Sequence, residues 1–210
     1  MSKCLLFDCD GTLVDSELLN CEAMSIELGE AGIDEPPAAL FERYKGGNFY
    51  RVLEDLEQIH NTPLGPDFTQ RFRDRAHQHF TDNLRAVDGI KTVLESLPGH
   101  RCVVSNAPLK KIVHELTVTG LLGFFADRLH SAYDIGHWKP EPHLLLRAAE
   151  HEGFAVADCV VIEDSQPGVQ AALNAGMPVI LYDEYGLDTS AQATCTINSM
   201  HDLPDALAQL

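Results

Sequence analysis

Apolar residues fall into two kinds of pattern along this chain. Four short runs are almost continuously apolar: Cys4–Phe7 (CLLF), 102–105 (CVVS), Cys159–Glu163 (CVVIE) and 178–182 (PVILY). Unbroken rather than alternating apolarity is what a strand needs when both faces of its sheet are covered. Between these runs apolar residues recur at helical spacing. Leu109, Ile112, Val113 and Leu116 follow Pro108, and Leu144, Leu145, Ala148 and Ala149 follow Pro142. Val169, Ala172 and Leu173 run up to Gly176, placed as a C-terminal glycine cap. The alternation predicts an α/β core of doubly wound, Rossmann-like type with a parallel sheet. In such sheets ligands bind beyond the carboxyl ends of the strands.

The first strand is not followed at once by a second. Residues 16–31, 38–44, 49–60 and 66–84 read instead as helices, with Leu19, Ala23 and Ile26, and Leu18 and Leu28 beside them, marking a buried stripe. A small helical lobe is therefore inserted into the core. The expected division is a core of residues 1–14 and 87–210 and an insertion of residues 15–86.

Composition narrows the range of partners. The 210 residues carry a formal net charge of −17, too acidic for the basic stripes that phosphate backbones need and unsuited to anionic membrane surfaces. No nucleic acid and no membrane are expected as partners. The six cysteines, Cys4, Cys9, Cys21, Cys102, Cys159 and Cys195, are scattered and lack any CxxC pair. They read as free thiols in a reducing, cytoplasmic setting. The ten histidines show no metal-ligand spacing; His77 and His79 point apart on a helix.

Polar clusters stand at the ends of the predicted strands. Asp8-Cys9-Asp10-Gly11-Thr12 follows the first, and two carboxylates there repel one another unless a cation binds. Glu163-Asp164-Ser165 ends another strand and runs into a helix for which Ser165 is a natural N-cap. Acids before a helix also serve its dipole, but with Asp8 and Asp10 they gather oxygen ligands at one sheet edge, a donor set suited to Mg²⁺. Ser105-Asn106 supplies a hydroxyl and main-chain N–H groups where phosphate could be gripped. Lys139, between Trp138 and the Pro140-Glu141-Pro142 loop, offers a fixed ammonium to balance the carboxylates.

These four clusters, in this order and with a helical insertion after the first, resemble the haloacid dehalogenase superfamily of phosphatases over essentially the whole chain. DCDGTLVDSE, the KGG at 45–47, VVSNAP, KPEP and VIEDSQPGVQAALNAGM are similar to its β-phosphoglucomutase and sugar-phosphatase branch. YDIGHWKPEP extends the likeness toward bacterial 6-phosphogluconate phosphatases. The resemblance implies that the insertion is a cap and that Asp8 is the nucleophile that becomes an aspartyl phosphate. Asp10 would protonate the leaving alkoxide and then deprotonate the hydrolytic water. Mg²⁺ would be held by Asp8, the Asp10 carbonyl and Asp164, with Glu163 close by, and Ser105, Asn106 and Lys139 would bind the phosphoryl oxygens.

The implied substrate is a small phosphomonoester, a sugar or sugar-acid phosphate, handled by a monomer, with a dimer left open. Lys45, Gly46 and Asn20, beside Ser16, Arg43 and Asn48, are the cap candidates for choosing it. Mutases of this branch carry a cap histidine where Asn20 falls and an arginine where Phe49 falls, so hydrolysis is favoured over mutation of a sugar phosphate. A phospho-accepting signalling domain also clusters carboxylates, Mg²⁺, a hydroxyl and a lysine on such a sheet, but it is shorter and lacks the insertion. A non-catalytic binding protein would be marked by missing motif carboxylates, and none is missing here.

Overall fold

The computed structural model describes residues 3–44, 49–184 and 192–210. Among them six strands form one all-parallel sheet: β1 (Cys4–Phe7), β2 (His100–Ser105), β3 (Leu129–Ser131), β4 (Cys159–Glu163), β5 (Val179–Tyr182) and β6 (Cys195–Ile197). Their spatial order is β3-β2-β1-β4-β5-β6. The order reverses between β1 and β4, where neighbouring crossovers leave on opposite sides and open a crevice. β1 and β4 are buried along their whole length. The described β2 starts two residues before the expected run, at the half-buried His100 and Arg101. β3 and β6 were not expected: each is three residues long and mostly half-buried, so neither carries an apolar run.

One sheet face packs Leu6, Cys102, Val104 and Val161 against Leu144, Leu145 and Ala148 of the helix His143–Glu152, and against Val169 and Ala172 of the helix Gln166–Ala175. On Gln166–Ala175 the sequence punctuation is realised: Ser165 Oγ accepts from the Gly168 N–H at 3.2 Å, and Gly176 closes the helix at φ +71°.

The chain divides into two compact units, Met1–Val14 with Arg85–Leu210, and Asp15–Leu84. Ala86 bridges to Val14, and the Val87 N–H donates to the Leu13 carbonyl at 3.0 Å, which ties both residues to the sheet-bearing unit. The other unit contains the helices Glu17–Glu30, Pro37–Tyr44, Phe49–His60 and Phe68–Asn83. Its interior is lined by Ala23, Met24, Leu28, Phe68, Phe72 and Phe80. The expected stripe on Glu17–Glu30 needs correction, because Leu18 and Ile26 are exposed while Met24 and Glu27 are buried.

Glu27 explains the shifted face. Its carboxylate is buried and accepts from Arg71 Nε at 3.0 Å and Arg75 Nε at 2.6 Å, linking the first helix of this unit to its last. The arginines are a third to nearly half exposed, so water screens the pair and lowers its worth below that of a fully buried bridge. Glu27→Gln is expected to lower stability by about 1–2 kcal/mol, read as a smaller urea midpoint at unchanged slope. No helix among the described residues is long and apolar enough to cross a membrane.

Candidate active site

The crevice between β1 and β4 receives most of the polar clusters. Asp8 extends β1 by one hydrogen bond, its N–H donating to the Ile162 carbonyl of β4 at 2.9 Å. The chain then turns. Gly11 adopts φ +73° and donates its N–H to the Val14 carbonyl at 2.8 Å. A Cβ at Gly11 would fall on the Asp164 carboxylate, so glycine is needed both for the left-handed backbone and for the close approach of the two loops. From the same turn Thr12 Oγ1 donates to Asp164 Oδ1 at 3.2 Å.

β4 delivers Glu163 and Asp164. Glu163 Oε1 accepts from Ser165 Oγ at 2.7 Å, and Glu163 Oε2 accepts from Lys139 Nζ at 2.6 Å. A side chain on Gly168 would overlap the Glu163 carboxyl. Lys139 reaches the cluster from the loop before His143–Glu152 and also donates to Asp8 Oδ1 at 2.6 Å. Its own backbone is gripped by Asn106, whose Oδ1 accepts from the Lys139 N–H at 2.9 Å and whose Nδ2 donates to the Lys139 carbonyl at 3.3 Å. The Asn106 amide thus holds the lysine loop in place. Ser105, buried at the end of β2, accepts from the Ala107 N–H at 3.0 Å and keeps its hydroxyl proton available for donation.

Charge is the dominant property of this crevice. Carboxylate oxygens of Asp8, Glu163 and Asp164 lie within 4.8 Å of one another, all three residues buried. Burial and then the charge of Glu163 push the Asp8 carboxyl well above the ordinary carboxylate range, while Lys139 pulls it back. For Lys139, burial works against the ammonium, but Asp8 and Glu163 outweigh it and hold its pKa above that of an ordinary lysine. One ammonium among three carboxylates leaves an excess of two negative charges. Hard oxygen donors with that excess suit a divalent cation of the Mg²⁺ kind, and Gly11 leaves the space beside Asp164 clear of side-chain atoms. Glu163 is drawn into holding Lys139 and Ser165, which leaves Asp8 and Asp164 as the carboxylates best placed to act as ligands.

Thr12 belongs to the first motif, although no role could be read for it from the sequence. Two residues of this neighbourhood escaped the sequence reading, Lys111 and Glu115 on the helix Leu109–Val118. Lys111 Nζ lies 2.5 Å from Asp10 Oδ1 and 2.7 Å from Glu115 Oε1. Glu115 is fully buried, and its other oxygen accepts from the Cys9 thiol at 3.7 Å. Burial and the nearby Asp10 charge push the Glu115 carboxyl up to about 8. In one dimension Lys111 and Glu115 look like a solvent-facing i,i+4 pair. The available signal was that Glu115 adjoins Leu116 and follows Ile112 by one helical turn, on the buried side.

The remaining candidates lie in the helical unit or outside the described residues. Lys45, Gly46 and Asn48 fall outside them. Asn20 is half-buried on Glu17–Glu30, Ser16 is buried just before it, and Arg43 donates to Glu35 Oε1 at 3.1 Å. His137 and His143, which flank Lys139, stack on each other at 4.2 Å and share the exposed Glu141.

Comparison with known proteins agrees with this arrangement. Residues 5–182 match the family model described as haloacid dehalogenase-like hydrolase. The chain is 32% identical over 206 residues to a 6-phosphogluconate phosphatase of Escherichia coli K12, covering 97% of this chain and 93% of that one. It superposes with TM-score 0.87 and 30% identity on a conserved haloacid dehalogenase-like protein of unknown function from Agrobacterium tumefaciens, covering 100% of this chain and 99% of that one. A HAD family hydrolase of Deinococcus radiodurans with bound phosphate and sodium gives TM-score 0.81 and 29% identity, with coverage of 99% and 96%. The chain belongs to the haloacid dehalogenase-like hydrolase family.

Proposed function

We propose that this protein is a Mg²⁺-dependent phosphatase that hydrolyses a small sugar or sugar-acid phosphate, of the 6-phosphogluconate kind, through an aspartyl phosphate on Asp8. The observation that carries this reading is the buried Asp8 carboxylate, paired at 2.6 Å with Lys139 and grouped with Glu163 and Asp164. Asp10 stands two residues further on. The phosphatase name of the 32% identical relative supports it.

Asp8, Asp164 and the Asp10 main-chain carbonyl would hold the cation, which when bound neutralises charge on the phosphoryl group. One Asp8 oxygen forms a bond to phosphorus while the ester P–O bond breaks, and Asp10 gives its proton to the departing alkoxide. In the second half Asp10 takes a proton from water as that water attacks phosphorus, releasing Asp8 and inorganic phosphate. Lys139 and the Ser105 hydroxyl bind the equatorial oxygens, positioning rather than reacting. Asn106 acts through Lys139 by fixing its loop. The helical unit is read as the cap that selects substrate, with Asn20, Lys45 and Gly46 as its contacts.

Hydrolysis is favoured over the mutase reading by Phe49. Where the mutases carry a phosphate-gripping arginine, this ring stacks on Phe72 at 5.1 Å and belongs to an aromatic contact inside the helical unit. The deciding experiment is a phosphate-release screen over sugar and sugar-acid phosphates, 6-phosphogluconate included, with Mg²⁺ and with EDTA. Release that depends on Mg²⁺ supports the proposal. No release from any phosphomonoester overturns it, and conversion of a 1-phosphate to a 6-phosphate without release restores the mutase.

Lys111 adds a sharper expectation. It fixes the Asp10 carboxyl from one side while Glu115 fixes Lys111. Removing it should matter most when the leaving group needs a proton. Lys111→Met is expected to lower kcat/KM by about 10–100-fold for a sugar phosphate and far less for p-nitrophenyl phosphate, whose phenolate leaves without protonation. Equal losses on both substrates would assign Lys111 a purely structural role.

A further inference from the structure

A second group of side chains of metal-ligating type lies on the sheet face covered by His143–Glu152, near the edge strand β3. Strand alternation puts His100 and Cys102 on the same face of β2. His130 of β3 pairs with Val104, two residues beyond Cys102, and so shares that face. Glu152 comes from the last turn of His143–Glu152. A helix of that length places it about 15 Å from the end that starts beside the Lys139 loop.

The donors converge. His130 Nε2 lies 2.7 Å from Glu152 Oε1 and His100 Nε2 lies 2.5 Å from Glu152 Oε2, with His151 Nδ1 3.4 Å from Oε1. Ligand atoms of Cys102, His130 and Glu152 all lie within 4.8 Å of one another. Cys102 is fully buried, the Glu152 side chain is 4% exposed, and those of His130 and His100 are 13% and 32% exposed. The cluster is therefore closed toward the core and open on the His100 side.

We infer that Cys102, His130 and Glu152 form a structural Zn²⁺ site, and that His100, which pairs with the other Glu152 oxygen, turns in as the fourth ligand when the metal binds. A carboxylate needs one cation, and a single protonated imidazole would supply it. Several imidazoles and a thiol gathered around the same carboxylate are more than an ion pair needs. They match the sulfur, nitrogen and oxygen set of a tetrahedral zinc site. Charge also balances: on binding, the Cys102 thiol releases its proton to solvent, and thiolate and carboxylate together offset the two charges of the metal. The set is softer than the all-oxygen crevice at Asp8, so the two sites sort metals by hardness. The site ties β2, β3 and the helix carrying Glu152 together and takes no part in the chemistry proposed for Asp8.

The test uses the full chain with Mg²⁺ in large excess, so that the oxygen-lined crevice does not compete for added metal. Titration with Zn²⁺ against a chromophoric chelator should show one tight equivalent. Co²⁺ in its place should give tetrahedral d–d bands and a thiolate-to-cobalt charge-transfer band. Cys102→Ser and His130→Ala should each weaken Zn²⁺ binding by at least about a hundredfold and remove the thermal stabilisation that Zn²⁺ gives the unaltered chain. Cys102→Ser should also erase the charge-transfer band. The double variant His137→Ala, His143→Ala should bind Zn²⁺ as before. Absence of a thiolate band in the unaltered chain overturns the proposal whether or not the variants fold. So does full Zn²⁺ binding by Cys102→Ser, or its loss in the His137, His143 double variant.

Discussion

Asp8→Asn is expected to lower Mg²⁺-dependent phosphate release by about 10⁵-fold or more, the scale seen when a covalent nucleophile is removed from a preorganised site. The amide is nearly the same size as the carboxylate and still accepts from Lys139, so the fold should survive. What disappears is the nucleophilic oxygen and one anionic oxygen of the carboxylate group formed with Glu163 and Asp164. Asp10→Asn is a graded comparison, because general acid–base help contributes about 10²–10⁴-fold. It should slow sugar phosphates severely while leaving Asp8 able to attack. The check is single-turnover and steady-state phosphate release by both variants, with circular dichroism to establish folding. Substantial Mg²⁺-dependent turnover by Asp8→Asn would refute the assignment of the nucleophile.

Lys139→Met should be nearly as damaging, and in two separable ways. Its Nζ sits between Asp8 and Glu163 at 2.6 Å from each, with the side chain 3% exposed. Loss of a fixed cation aimed at developing charge costs about 10²–10³-fold in rate. Leaving two buried carboxylates without their partner costs about 3 kcal/mol of stability, because neither side chain has water enough to replace the ammonium. Excess Mg²⁺ should recover part of the stability and little of the rate. Thermal unfolding with and without Mg²⁺, beside kcat/KM, measures the two effects. A variant as stable and as active as the parent would remove Lys139 from the site.

These two residues also mark how far the site was legible in one dimension. Asp8 could be found because a buried apolar run ends on it, and carboxylates at such an end invite a cation. Lys139 was legible through its proline-bounded loop. The contact of Asn106 with that loop was not. Its side chain clamps the main chain of Lys139, 33 residues away, and no local pattern reports a hydrogen bond of that separation. Lys111 and Glu115 were hidden for a related reason: their spacing is that of a surface ion pair, and only the docking of Leu109–Val118 turns it toward Asp10.

The expected stripe on Glu17–Glu30 failed because periodicity counts apolar residues only. Arg71 and Arg75, more than forty residues later, make it possible to bury the charged Glu27 in place of an apolar neighbour. β3 and β6 escaped because short edge strands need little burial and carry little pattern.

The sequence by itself determined the doubly wound core, the helical insertion after β1 and the acidic strand ends, because each rests on local order: apolar runs, helical spacing, and turn residues next to strands. Tertiary structure alone decided which charges meet. It set Lys139 among three carboxylates, placed Lys111 on Asp10, and drew Cys102, His130 and Glu152 from two strands and a helix into one group with His100 on the other Glu152 oxygen, although the ten histidines have no ligand spacing along the chain. Ion pairs and metal sites depend on distances of a few ångströms, and parallel strands bring residues that close only after long crossovers.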